Sequence, residues 1–143
     1  MQSSLTRNGM IEKSLKISPF GKHLGVEVVE VGDGRARISL PFRAELTNPA
    51  GKLHGGVIAT LADSAMAMAV GSVLGVPGRH STVKLEIRYK APVTAGEIIA
   101  EATVKQRKPT VFLGEAIMRD GSGQVVAKAT ATFMVMDHPV QDE

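Results

Sequence analysis

Residues 55–74 constrain this 143-residue chain more than any other segment: twenty positions rich in Ala, Leu, Val and Met, with one charged side chain, Asp63. Ala, Leu and Met are strong helix formers, and Gly75, Pro77 and Gly78 follow as stop signals. A helix over about Gly55 to Leu74 is therefore expected. It is apolar on nearly every face, so other elements should wrap it. By length it could cross a bilayer, but a spanning helix tolerates a central Asp poorly, and the chain after it is strongly amphipathic. A buried core helix is the reading, with no membrane partner.

The flanks supply the wrapping. Met10 to Lys16 suits a short helix, with Pro19 and Gly21 ending it. Val26 to Val31 and Arg35 to Phe42 read as strands around a Gly32-Asp33-Gly34 turn, and residues 43–53 as a loop. In Val83 to Lys90, Val83, Leu85, Ile87 and Tyr89 alternate with charged residues, the mark of a half-buried strand. Glu97 to Arg107, Val111 to Arg119 and Gln124 to Met136 complete the set, separated by short turns that imply antiparallel pairing. A sheet with one buried face must cover it, and the helix is the one element available. The expectation is an α+β hotdog fold, an antiparallel sheet wrapped around one long central helix. It forms one domain over residues 1–143, with residues 1–19 as an N-terminal extension.

Composition narrows the functional classes. The chain has no cysteine, which excludes disulfides, thiolate metal sites and cysteine nucleophiles and is compatible with a reducing, cytoplasmic setting. The N-terminal segment has no continuous apolar run of the kind a secretory signal carries. The net charge of +3 favours an anionic partner only weakly, and one Tyr, four Phe and no Trp give few stacking platforms, so nucleic acid is not expected. His23, His80 and His138 share no spacing with carboxylates, so no metal site is expected, nor any separate cofactor.

The chemistry gathers at the helix start. Asn48-Pro49-Ala50-Gly51-Lys52-Leu53-His54-Gly55-Gly56 runs directly into the helix, and Asp63 follows seven residues later. The first amides of a helix have no intrahelical partner and, with the helix dipole, favour developing negative charge. Glycine lets a ligand carbonyl approach closely. Gly55 and Gly56 could therefore form an oxyanion site for acyl transfer, though glycines alone would equally suit a tight turn. Asp63, the one charge between Lys52 and Arg79, is costly among apolar neighbours unless paired or functional, and could act as general base or nucleophile. Gly55 and Asp63 stand eight residues apart, about 12 Å along a helix, too far to serve one carbonyl from one chain. A two-fold axis pairing antiparallel helices would bring Gly55 of one copy near Asp63 of another.

This run, with the helix Asp at its spacing and the Tyr89 to Pro92 turn, resembles the phenylacetate-degradation (PaaI-like) branch of the hotdog thioesterases, from roughly Phe20 to Met136. The resemblance implies an acyl-CoA thioesterase acting as a homodimer or homotetramer, with sites shared at the subunit interface and coenzyme A as part of the substrate. It implies catalytic roles for Asp63, Gly55, His54, Asn48 and Thr82, the last positioning the attacking water. It places Gly56, Lys90, Ala91, Pro92, Arg107, Lys108 and Thr110 along the coenzyme A groove. His54 could orient the loop or bond the thioester oxygen, and Asn48 could hold the loop or position water. Phenylacetyl-type acyl groups come from the resemblance alone. From the residues, Ala62, Ala65, Met66 and Ala69 on the inner helix face, with Phe112 and Leu113, suit a medium or aromatic acyl group. Two alternatives stand: an acyl-CoA-binding protein without turnover, which has no need of Asp63, and a hotdog dehydratase, whose relatives place their acidic residue and His differently.

Overall fold

The computed structural model describes residues 17–75 and 79–136. A short helix α1 (Pro19–Leu24) precedes strands β1 (Glu27–Gly32) and β2 (Arg35–Pro41), a single 3-10 turn (Ala44–Leu46) and the long helix α2 (Gly55–Leu74). Strands β3 (His80–Tyr89), β4 (Glu97–Lys108), β5 (Val111–Asp120) and β6 (Val125–Val135) follow. They form one sheet in the order β1-β2-β4-β5-β6-β3, every pair antiparallel. Helix α2 packs against all six strands. This is the expected hotdog arrangement.

Three local expectations change. Pro19 begins a helix rather than ending one: it occupies the first turn, where its missing N–H costs nothing, and the Ser18 hydroxyl accepts the Gly21 N–H at 3.0 Å. The helix expected over Met10 to Lys16 lies outside the described residues, as do Pro77 and Gly78; the helix stop within them is Gly75, whose φ of 79° closes α2 through its N–H on the Gly71 carbonyl.

The second change concerns the wrapping of α2. The described residues cover one side only. Ile58, Leu61, Ala62, Ala65, Met66 and Ala69 are buried against the sheet, whereas Gly56, Thr60, Asp63, Ser64 and Ala67 remain at least partly open. The small buried side chains let helix and sheet approach closely. At Gly114 of β5 an added Cβ would stand 2.9 Å from Met66 Sδ and 3.2 Å from Met66 Cβ. Ala62, Ala65, Met66, Ala69 and Phe112 are thus consumed by the core and do not line an acyl pocket in this chain. Leu113 alternates to the opposite side of the sheet and is exposed.

The third change is β3, which starts at His80 and is not half-buried. It is a sheet edge, and Val83, Leu85 and Tyr89 are 56%, 36% and 52% exposed. A bulge lies between Thr82 and Lys84, where two residues of β3 match one step of β6. Val83 is the extra residue. Beyond it the alternation changes phase, so that Thr82 and His80 face the helix with Leu85, Ile87 and Tyr89.

The Gly114 contact yields a stability prediction. Gly114→Val forces a branched side chain into space held by Met66 and should destabilise the fold by about 1–3 kcal/mol, the range for overpacking. Urea unfolding measures it.

Candidate active site

The loop before α2 is tied at several points. The Asn48 side-chain oxygen accepts the N–H groups of Ala50 (2.9 Å) and Lys52 (3.1 Å). The Asn48 N–H donates to the Lys52 carbonyl (2.8 Å) and the Gly51 N–H to the Asn48 carbonyl (2.9 Å). Beyond it the Leu53 N–H donates to the Val93 carbonyl and the His54 N–H to the Leu46 carbonyl, both at 2.8 Å. Asn48 therefore holds the loop that delivers His54.

His54 is the N-cap of α2. Its Nδ1 accepts the Gly56 N–H at 2.8 Å, so in the neutral ring the proton sits on Nε2. The Gly56 amide is thereby occupied. The Gly55 N–H makes no hydrogen bond among the described residues and is the open donor at the helix start. The following peptide is held as well: the Tyr89 hydroxyl donates to the Gly55 carbonyl at 2.7 Å. A Cβ on Gly55 would lie 3.2 Å from that hydroxyl, so glycine here serves close packing.

Two turns further along, Asp63 points from α2 toward the other end of β3. Its Oδ1 accepts the Thr82 hydroxyl at 2.8 Å. Thr82 thus anchors the carboxylate in this chain. His80 lies close by, half-buried. Burial lowers its pKa from the usual 6.5, while the Asp63 charge and the Ala67 carbonyl pull it upward. The reading of the histidines from spacing alone missed His80, and it missed the Tyr89 hydroxyl, seen only as part of a turn.

The basic candidates divide between the two ends. Lys90 leaves β3 beside Tyr89, its N–H and that of Ala91 both on the Val126 carbonyl, with Pro92 exposed next to them. Arg107, Lys108 and Thr110 lie at the β4–β5 turn, where the Thr110 carbonyl accepts from Val135, the pairing partner of His80. His80 and Tyr89 are the two ends of the 10-residue strand β3, so the two groups lie about 30 Å apart in one chain. Lys90 therefore stands at the Gly55 end and the Arg107 group at the Asp63 end.

The sequence model of the thioesterase superfamily matches residues 50–127, the segment holding both ends of this site. The chain belongs to the thioesterase superfamily. Human acyl-coenzyme A thioesterase 13 is 30% identical over 86% of this chain and 89% of its own length. A conserved protein of Pseudomonas aeruginosa has a similar structure, with a TM-score of 0.80 at 33% identity over 84% of this chain and 95% of its own. A mutant of the phenylacetic acid degradation protein PaaI from Thermus thermophilus gives a TM-score of 0.76 at 27% identity, over 83% of this chain and 100% of its own. These likenesses bear out the hotdog, PaaI-like reading and make the protein a thioester hydrolase.

The environment of His80 sets a pH dependence of stability. A histidine with a lowered folded pKa binds its proton more readily when unfolded. Its contribution is complete above 6.5 and is lost as the pH falls through the lower folded value. Urea unfolding at about pH 8 and about pH 5 should show wild type losing more stability on acidification than His80→Gln.

Proposed function

We propose that the protein hydrolyses an aryl- or medium-chain acyl-CoA to the free acid and coenzyme A, in sites shared between two antiparallel copies. The observation that carries this reading is the division of the site: the open Gly55 amide and the Thr82-held Asp63 carboxylate sit at opposite ends of the same helix–strand pair. Along α2 they are about 12 Å apart, beyond the reach of one thioester carbonyl. The β3 edge and the open stripe of α2 adjoin one another and are uncovered in one chain. A second copy related by a two-fold axis would cover both, and would bring its Gly55 amide to this chain's Asp63. The same operation brings its Lys90 toward this chain's Arg107 and Lys108, so that two distant basic groups converge on one nucleotide.

In such a site the Gly55 N–H donates to the thioester oxygen as negative charge develops there, helped by the start of the helix dipole. Asp63 takes a proton from the attacking water, or attacks the carbonyl itself to give a mixed anhydride that water then hydrolyses; in either route the thiolate of coenzyme A leaves and is protonated. Thr82 keeps the carboxylate aimed, and Tyr89 keeps the Gly55 peptide in place. His54 fixes the glycine turn, and its Nε2–H faces outward for a substrate oxygen. Asn48 acts through the loop.

Asp63→Asn preserves shape and removes the base. It should lower turnover by at least about 10²-fold, the low end for loss of a general base, while acyl-CoA binding persists. Unchanged turnover would return Asp63 to a structural role, whereas wild-type protein that binds acyl-CoA and releases no thiol from it would favour an acyl-CoA binder. Chains carrying Asp63→Asn, mixed and reassorted with Gly55→Pro chains, should regain up to about half of wild-type activity per dimer, because one composite site is intact. Proline suits the first helical position and lacks the N–H in question. No recovery in verified heterodimers would place both groups in one chain.

Lys90→Ala or Arg107→Ala should raise the KM for coenzyme A esters more than it lowers kcat, since contacts far from the reacting carbon bind ground and transition states alike. Steady-state kinetics on an acyl-CoA and on a short thioester lacking the nucleotide separate the cases. Equal losses on both substrates would make these residues structural.

A further inference from the structure

One titratable group beside Asp63 has no place in that scheme. His80 opens β3 on the same helix-facing side as Thr82. Its ring meets the edge of Phe133 at a centroid distance of 5.6 Å, with the planes at 76°. Its Nδ1 is buried and has no hydrogen-bond partner among the described residues. Buried polar atoms are nearly always satisfied, so an orphan beside a reactive carboxylate calls for an explanation.

The neighbours of the ring are few. Helix α2 presents the Asp63 carboxylate and the Ala67 carbonyl. Strand β6 presents Phe133 and Val135, neither titratable. On β3 itself the Thr82 hydroxyl is committed to Asp63, and the preceding residue, Arg79, accepts the Met136 N–H at its carbonyl. Asp63 is the one charge acting on the imidazole among the described residues.

We propose that His80 is a positioning residue that gates Asp63: the neutral ring leaves the carboxylate on Thr82 and aimed at substrate, and the protonated ring draws it away and turns the site off. This rests on the reading of Asp63 as the catalytic carboxylate. A neutral ring gives Asp63 no reason to leave Thr82. A protonated ring places a positive charge and a second N–H in a partly desolvated spot whose one anionic acceptor is Asp63. An ion pair there is strong, whereas the hydroxyl partner of Asp63 is readily replaced by water. The coupling is reciprocal: whatever affinity Asp63 adds for the proton on His80, that proton subtracts from the basicity of Asp63. Burial sets the threshold on the acid side of 6.5, so the gate is open at neutral pH and closes on acidification.

The test combines NMR with kinetics. The His80 imidazole is titrated by NMR in wild type and in Asp63→Asn. The pH profile of acyl-CoA turnover is measured for wild type, His80→Gln and His80→Asn. Wild-type His80 should titrate below 6.5, and at still lower pH in Asp63→Asn, because the charge favouring its protonated form is gone. Wild-type turnover should fall through the same midpoint. Either His80 variant should stay within about 3-fold of wild type near pH 8 and carry its acid limb at least about one pH unit lower. A merely structural histidine would change the plateau and leave the limb in place. Superimposable acid limbs, or a His80 titration indifferent to Asp63→Asn, would overturn the proposal. The NMR arm decides even where neither His80 variant folds. Full turnover by Asp63→Asn would remove the carboxylate reading, and the gate with it, while the titration would still show whether the two groups are coupled.

Discussion

The close approach of α2 to the sheet governs everything else in this chain. Alanines at 62, 65 and 69 and the bare Cα of Gly114 bring the two layers near enough for Met66 to fill the gap between them. Such packing tolerates little change of volume. It also sets the rotation of the helix. With that stripe turned inward, Gly56, Thr60, Asp63 and Ala67 must emerge along the open side, beside the edge strand β3. The carboxylate therefore lies at a lip rather than in the core. There it is held by one hydroxyl and remains reachable, as the proposed role of a base would require.

Much of this was legible from local signals. The helix limits of Gly55 and Leu74 coincide with expectation because both ends are marked chemically: a glycine pair after a capping residue at one end, and a left-handed glycine at the other. The antiparallel order of β4, β5 and β6 follows from short turns between alternating segments. The candidate cluster was legible as a run of types and spacings, and Thr82 does meet Asp63.

The remainder was hidden for identifiable reasons. Alternation counted back from Tyr89, Ile87 and Leu85 puts Val83 on the helix side and turns Thr82 and His80 away from it. One extra residue in the bulge reverses that parity, and no local propensity announces it. His80 consequently looked like an isolated histidine although it adjoins Asp63. The exposure of β3 was hidden differently. Its apolar row is patterned for burial, but nothing among the described residues supplies the cover, and a pattern cannot say what does. The inner alanines were misread as a pocket because small side chains mark close packing as readily as they mark empty space.

The two ends of β3 explain why the halves of the site can be built so differently. At the Gly55 end the proposed working group is a backbone amide, which needs rigidity. The adjoining peptide is fixed by an imidazole on the Gly56 N–H and a tyrosine hydroxyl on the Gly55 carbonyl, and the loop before it is tied by Asn48. At the Asp63 end the proposed working group is a side chain, and its surroundings are a hydroxyl and a half-buried imidazole. One chain can optimise these separately because about 12 Å of helix keeps them apart. In the proposed pairing across a two-fold axis, a rigid oxyanion donor and a side-chain base would meet with neither compromised, and each copy would supply both. A monomer would have to bend α2 between Gly55 and Asp63 to do the same. The segment between them packs Ile58, Leu61 and Ala62 into the core and leaves no freedom for that bend.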